Sequence, residues 1–203
     1  MRKMGDSSSG SDVISGSAGD ELSLECVSNG GNPAPTLKWM LRGQEIRTQE
    51  VQEDIRQTSG RWTSISRLRL PVNREDNQAT IYCQVFHDAL DDGMASEISL
   101  NIFYPPTVLA KISKDTELSE GDSVTLFCEA DSNPPATVSW RKLEKTTKFI
   151  GNQPTITINS VTKDSAGSYQ CVAENALGRS QPETIDVDVQ CKLATTSVVL
   201  IVY

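Results

Sequence analysis

The chain has 203 residues, of which 27 are acidic and 19 are basic, so its formal net charge is −8 at pH 7. Proteins that bind nucleic acid gain affinity from clustered lysine and arginine, so this charge argues against a nucleic-acid partner. It equally disfavours binding to an anionic membrane surface. The length fits two domains of about 100 residues or one larger domain, and composition does not choose between them.

The first 12 residues are rich in serine and glycine after a basic start. A secretory signal requires an apolar stretch at this place, and none follows Met4. Segments of low hydrophobicity cannot bury enough apolar surface to fold. We therefore expect residues 1–12 to form a disordered lead.

Two similar halves follow, with a period of about 100 residues. The segment from Gly19 to Cys26 matches the segment from Gly121 to Cys128 position by position. Each half then continues through an Asn-Pro pair to a tryptophan and closes with a second cysteine: Trp39 and Cys83 in the first half, Trp140 and Cys171 in the second. A repeat of this length indicates two copies of one domain.

Apolar side chains alternate with polar ones in both halves, as at Leu22, Leu24 and Cys26. This period of two is typical of half-buried β-strands, and no segment has a helical period long enough to predict a helix. Pro105 and Pro106 end the last strand of the first half, because proline cannot donate to a central ladder. We therefore predict domains over residues 13–104 and 105–190.

The sequence has no motif that points to catalysis or to a cofactor. It lacks a glycine-rich phosphate loop, an H-E-x-x-H segment and C-x-x-C cysteine pairs. His87 is the only histidine, and beside Asp88 at a predicted hairpin it fits a surface position better than a catalytic or metal site. We expect no enzymatic activity, cofactor, metal or small-molecule substrate.

The order cysteine, tryptophan and second cysteine resembles an immunoglobulin sandwich, in which the indole packs on a disulfide between strands B and F. The second half also resembles the tyrosine corner of this fold, since Tyr169 lies two residues before Cys171, whereas the first half has Ile81 there. The resemblance implies an all-β chain of two tandem immunoglobulin-like β-sandwiches in an extended rod. The first domain is similar to the C2 type and the second to the I-set or C2 type.

The resemblance implies one disulfide in each domain and an aromatic core beside it: Cys26 to Cys83 with Trp39, and Cys128 to Cys171 with Trp140 and Tyr169. Cys191 follows the last predicted strand and is predicted to be unpaired. Residues 193–203 are apolar but fall short of the about 20 residues of a membrane span. We expect residues 191–203 to be a tail that is either non-native or the start of a following segment.

Three stretches resemble the C2-type domains of nephrin and the sticks-and-stones group, and more loosely nectin-like adhesion molecules: residues 31–35, 83–90 and 104–106. This family implies an extracellular piece of a plasma-membrane adhesion protein that binds another immunoglobulin-superfamily protein, homophilically or heterophilically. The alternative is an intracellular spacer array of the titin kind with reduced cysteines. Two complete Cys-Trp-Cys sets favour the extracellular interpretation.

Strand alternation predicts where a partner binds. With Trp39 and Cys83 in the core, a period of two sends six neighbours outward on one face: Lys38, Met40 and Arg42 on strand C, and Tyr82, Gln84 and Phe86 on strand F. Tyrosine, phenylalanine, methionine and arginine are enriched at protein interfaces. The alternative is that the segment between strands C and E covers Tyr82 and Phe86.

The matching face of the second domain is plainer, with Ser139, Arg141, Gln170, Val172 and Glu174, so we predict that this domain acts mainly as a spacer. Asp76 and Asp164 are candidates to pair with an arginine at the base of each sandwich, in a structural role.

Overall fold

A computed structural model describes residues 12–47, 50–91, 93–114, 118–144 and 146–190. The chain divides into two units, Met1–Tyr104 and Pro105–Tyr203. Residues 1–11 of the predicted lead, Cys191 and the tail over 191–203 lie outside the described residues. Asp12 is described, and its carbonyl accepts a hydrogen bond of 2.8 Å from the backbone N–H of Ser99. Nowhere in the described ranges is there a helix with the length and apolar character to cross a bilayer.

Where the structure describes it, the first unit has eight strands and one 3₁₀ turn. The strands are β1 Val13–Ser17, β2 Glu21–Gly31, β3 Thr36–Leu41, β4 Gln44–Ile46, β5 Glu50–Arg56, β6 Trp62–Pro71, β7 Thr80–Phe86 and β8 Met94–Ile112, and the turn is Arg74–Asp76. Strand β8 includes Pro105 and Pro106, so the prediction that these prolines end a strand is wrong. Proline removes only its own N–H donor, and the extended backbone can continue through it.

Two sheets of the first unit enclose one core. One sheet has the order β8, β7, β3, β4, with β1 parallel to β8, and the other has the order β2, β6, β5. Inward residues of both sheets form the core around Trp39, which is fully buried: Leu22, Leu24, Leu37, Leu68, Leu70, Ile81, Ile98 and Leu100. The period of two in the sequence therefore matches burial on one side of each strand.

The described residues of the second unit form nine further strands and a second 3₁₀ turn. The strands are β9 Leu118–Ser119, β10 Val124–Asn133, β11 Thr137–Leu143, β12 Lys148–Gly151, β13 Thr155–Ile158, β14 Gly167–Asn175, β15 Gly178–Arg179, β16 Glu183–Val187 and β17 Val189–Gln190, and the turn is Lys163–Ser165.

The second unit repeats the two-sheet arrangement. Strand β14 pairs with β11, β15 and β16, and β12 lies at the edge beside β11. Strand β10 lies between β13 and β8, and β17 runs parallel to β9. The core surrounds the fully buried Trp140. The prediction of an all-β chain with two sandwiches is confirmed.

A disulfide links the two sheets in each unit. Cys26 on β2 is bonded to Cys83 on β7, and Cys128 on β10 to Cys171 on β14. In each case the tryptophan pairs in register with the second cysteine on the neighbouring strand, so the indole lies beside the bridge.

The indole of Trp39 is also held by a polar contact across the core. Its Nε1–H donates to the hydroxyl of Ser66 at 2.8 Å, and that hydroxyl donates to a carboxylate oxygen of Glu50 at 2.7 Å. Ser66 is completely buried. In the second unit the buried Nε1 of Trp140 has no hydrogen-bond partner among the described residues. The first sandwich therefore has a hydrogen-bonded link between its sheets at a place where the second does not.

We predict that Ser66→Ala destabilises the first unit by about 1–3 kcal/mol, because it leaves the buried indole N–H of Trp39 without an acceptor. Urea denaturation checks this. Ser23→Ala is the matched control, since Ser23 lies on the exposed side of the neighbouring strand β2. In a Trp39→Phe background the cost of Ser66→Ala should shrink. Equal effects of Ser66→Ala and Ser23→Ala would contradict the prediction.

Candidate functional site

The outward side of the sheet of β3 and β7 forms the candidate site. Met40 lies directly opposite Tyr82, and Lys38 lies directly opposite Gln84. These four side chains are half-buried, while Phe86 at the end of β7 is 45% exposed. The Lys38 ammonium lies 5.4 Å from the centroid of the Phe86 ring. We call Lys38, Met40, Tyr82, Gln84 and Phe86 the outer face.

Arg42 does not belong to the outer face, and this corrects the prediction from strand alternation. Strand β3 ends at Leu41, and Arg42 lies in the following turn with φ of 52°. Its guanidinium lies 3.1 Å from a carboxylate oxygen of Asp76 and also donates to the carbonyl of Glu75. The alternation fails here because the chain turns, and Arg42 is the arginine that was expected to pair with Asp76.

Charges of both signs border the outer face. Glu45 on β4 lies opposite Met40, with a carboxylate oxygen 3.0 Å from Arg47 and 3.6 Å from Lys38. The hydrogen bond from Arg47 holds the pKa of Glu45 below its usual value, so this carboxylate stays ionised. On the other border, Glu97 of β8 lies opposite Tyr82. The face therefore combines apolar side chains with opposite charges that neutralise one another.

The connection between β3 and β6 leaves the outer face uncovered as far as residues 44–47 and 50–61 describe it. Its first part adds β4 to the edge of the sheet beside β3. Its second part forms β5, which pairs with β6 in the other sheet. Because β5 lies in that other sheet, it does not shield Tyr82 or Phe86.

The second unit also exposes an aromatic side chain, which sequence reasoning missed. Among the five predicted residues of its face, Val172 is only 5% exposed. Phe149 on β12 lies opposite Arg141 and is 57% exposed. The prediction of a plainer face did not include β12. Apolar Phe149 and Ile150 after Lys148 are the signal that could have indicated this edge strand.

The base of the second sandwich is polar. The hydroxyl of Tyr169 donates to the carbonyl of Ser165 at 2.9 Å, which is the contact expected of a tyrosine corner. The ammonium of Lys142 lies 5.7 Å from the Tyr169 ring and donates to the carbonyl of Asp164. The predicted arginine partner of Asp164 is thus replaced by a lysine that binds the backbone. In the first unit Ile81 is fully buried at the place of Tyr169.

No group of three or more metal-ligating side chains occurs in the part of the chain that the structure describes. His87 makes two hydrogen bonds to backbone groups, with Nε2 3.0 Å from the carbonyl oxygen of Pro33 and Nδ1 3.1 Å from the N–H of Ala89. Both ring nitrogens of His87 are therefore engaged by the protein itself.

Comparison with known families assigns both units. Residues 9–92 match the CD80-like C2-set immunoglobulin domain, and residues 105–175 match the immunoglobulin domain. Cell adhesion molecule 2 of Xenopus tropicalis is 33% identical over 193 residues, which cover 89% of this chain and 43% of that protein. Cell adhesion molecule 1 of Homo sapiens is 28% identical over 170 residues, 81% of this chain and 38% of that protein.

Myelin-associated glycoprotein of Mus musculus is 30% identical over 176 residues, 85% of this chain and 27% of that protein. The chain thus spans less than half the length of these three relatives. Among solved structures, the ectodomain of mouse nectin-like molecule 4 superimposes with a TM-score of 0.71 at 24% identity, covering 91% of this chain and 64% of that one. A tandem of titin immunoglobulin domains superimposes with a TM-score of 0.51 at 18% identity, covering 90% of this chain and 94% of that one. These two likenesses show the fold alone.

We predict that Arg42→Ala destabilises the first unit by about 1 kcal/mol, because the poorly exposed Asp76 carboxylate loses its ion pair. The exposure of Arg42 and the remaining bond from the Asn73 N–H to Asp76 limit the effect. Lys38→Ala is the control, since the Lys38 pair with Glu45 is solvent-screened and should contribute less. Urea denaturation measures both. If the two variants lose equal stability, the structural role of Arg42 is wrong.

We also predict that Tyr169→Phe destabilises the second unit by about 1 kcal/mol through loss of its hydrogen bond. Burial raises the pKa of Tyr169, so the folded unit holds the phenolic proton more tightly than the unfolded chain. This contribution is complete below the unfolded pKa and is lost as pH rises beyond about 10. Amide exchange from about pH 8 to about pH 11 should show a smaller alkaline loss in Tyr169→Phe. The same loss in both proteins would contradict this.

Proposed function

Because this chain belongs to the immunoglobulin superfamily and its relatives are cell adhesion proteins, we propose that it is part of an adhesion ectodomain. It acts at the outside of the plasma membrane, where its outer face binds another immunoglobulin-superfamily receptor, homophilically or heterophilically. The second domain acts mainly as a spacer. The narrower grouping with nephrin and sticks-and-stones remains a prediction.

The observation that carries this proposal is the uncovered aromatic and apolar surface on the first unit. Solvent-facing sheets usually carry lysine, glutamate, serine and threonine, whereas protein interfaces are enriched in tyrosine, phenylalanine and methionine. Phe86, Tyr82 and Met40 lie together on the outer face, and Phe86 is 45% exposed. Lys38 and Glu45 add polar partners at the rim, as interfaces commonly do.

The dimensions of the outer face favour a weak contact between single copies. The sheet that carries the outer face has five strands among the described residues of the first unit, and β3 has six residues. With about 4.8 Å between strands and about 3.3 Å per residue, even the whole outward side of this sheet measures only roughly 20 by 20 Å. This is less than the about 800 Å² that each partner buries in a standard interface. Adhesion through such a face then gains strength from many copies on apposed membranes.

The titin-like spacer remains the second candidate, because the same sandwich fold also occurs in spacer arrays and does not by itself decide between the two functions. The two functions differ in the redox state of the thiols, because disulfides persist in oxidising compartments. Protein alkylated directly from its native source should therefore have one free thiol out of five cysteines if it is extracellular. Five free thiols would favour the intracellular spacer.

We predict that Phe86→Asp and Met40→Asp each weaken binding to displayed immunoglobulin-superfamily ectodomains by at least about tenfold, because burying an unpaired carboxylate costs more than about 1.4 kcal/mol. Val51→Asp is the matched control, since Val51 is 64% exposed but lies on β5 in the opposite sheet. Biolayer interferometry measures the affinities, and circular dichroism checks the fold. A folded Phe86→Asp variant with unchanged binding would overturn the proposal.

A further inference from the structure

The two units use different side chains for one contact at the same place. His87 and Asn175 each lie four residues after the second cysteine of their unit. In the second unit, the amide nitrogen of Asn175 donates to the carbonyl of Pro134 at 2.9 Å, and its amide oxygen accepts from the N–H of Leu177 at 2.9 Å. Asn175 therefore joins the loop before β11 to the turn after β14.

His87 makes the equivalent pair of contacts in the first unit. Its Nε2 lies 3.0 Å from the carbonyl oxygen of Pro33, and its Nδ1 lies 3.1 Å from the N–H of Ala89. A carbonyl only accepts and an N–H only donates, so Nε2 must carry the proton and Nδ1 must carry a lone pair. The contacts thus require the neutral imidazole with its proton on Nε2.

We propose that His87 is a pH-responsive clamp between the loop at Pro33 and the hairpin after β7. An imidazole that takes up a second proton has no acceptor, so its bond from the Ala89 N–H is lost while the bond to Pro33 persists. Histidine is the side chain that changes charge between about pH 5 and about pH 8. The amide of Asn175 does not titrate in this range. Acidification therefore loosens this contact in the first unit only.

The charges around His87 come from three places. Its own hairpin carries Asp88, Asp91 and Asp92 in sequence. Asp12 lines the adjoining cleft of about 650 Å³, which the end of β2 and the start of β8 border with uncharged side chains. The guanidinium of Arg61 lies beside Gly30, which also lines this cleft, and contributes a cation. The loop at Pro33 has no ionisable side chain from residue 29 to residue 35.

The clamp lies next to the outer face along the chain, so a change at His87 can affect that face. His87 directly follows Phe86, the most exposed aromatic side chain of that face. Release of the Ala89 N–H loosens the turn immediately beyond Phe86, which the bond from the Leu90 N–H to the His87 carbonyl at 2.9 Å then holds alone. The clamp itself does not depend on the proposed adhesive function, whereas an effect of pH on partner binding does.

Nuclear magnetic resonance of the whole ¹⁵N-labelled chain tests the clamp directly, because His87 is the only histidine. The ring nitrogen shifts at about pH 7.5 should show a protonated Nε2 and an unprotonated Nδ1. Between about pH 7.5 and about pH 5, exchange protection of the Ala89 amide, corrected for intrinsic rates, should fall roughly two- to tenfold. Protection of the Leu177 amide should stay constant and serves as the internal reference.

Two variants, each of which receives the side chain found at the matching position of the other unit, complete the test. His87→Asn should keep the Ala89 amide protected at both pH values, and Asn175→His should make protection of the Leu177 amide depend on pH. The proposal is overturned if the neutral ring of the unmodified chain carries its proton on Nδ1. It is also overturned if the Ala89 amide is unprotected at both pH values, or if Ala89 and Leu177 respond equally to acidification. These three outcomes are read from the unmodified chain and do not require a variant to fold.

Discussion

The disulfide that joins the two sheets of each sandwich is the constraint on which the other features depend. Bonding Cys26 to Cys83 fixes which sides of β2 and β7 point inward. Side chains alternate along a strand, so this one bond also fixes which residues point outward. Closing a loop of 57 residues stabilises the first unit by about 4 kcal/mol in the chain-entropy description. The outer face is therefore a consequence of how the core is linked.

The two units form similar hydrogen bonds at matching positions but use different side chains to form them. His87 and Asn175 both join a proline carbonyl to a backbone N–H, although one does so with an imidazole and the other with an amide. At the base, Arg42 of the first unit binds the carboxylate of Asp76, whereas Lys142 of the second binds the backbone carbonyl of Asp164 and pairs with the carboxylate of Glu144 instead. Two domains of one fold can thus respond differently to substitution at matching positions.

The chemistry of the outer face and the partial length of the chain support one account of adhesion. Apolar and aromatic side chains provide the area that a partner can bury, while Lys38 and Glu45 keep the rim near neutrality in a chain of net charge −8. A neutral face reduces the electrostatic cost of approach by another acidic ectodomain. The chain spans less than half the length of these relatives.

Local patterns were enough to predict the two sandwiches, because alternation and the Cys-Trp-Cys order are properties of neighbouring residues and of strand geometry. The same alternation predicts the outward direction of Met40 and Tyr82, which pair within regular strands. It fails for Arg42, since the end of β3 depends on where the chain turns toward Asp76. The exposure of Phe149 and the tautomer of His87 also needed the folded chain. The exposure of Phe149 depends on an edge strand, and the tautomer of His87 depends on a carbonyl distant in sequence. Only long-range packing brings these into place.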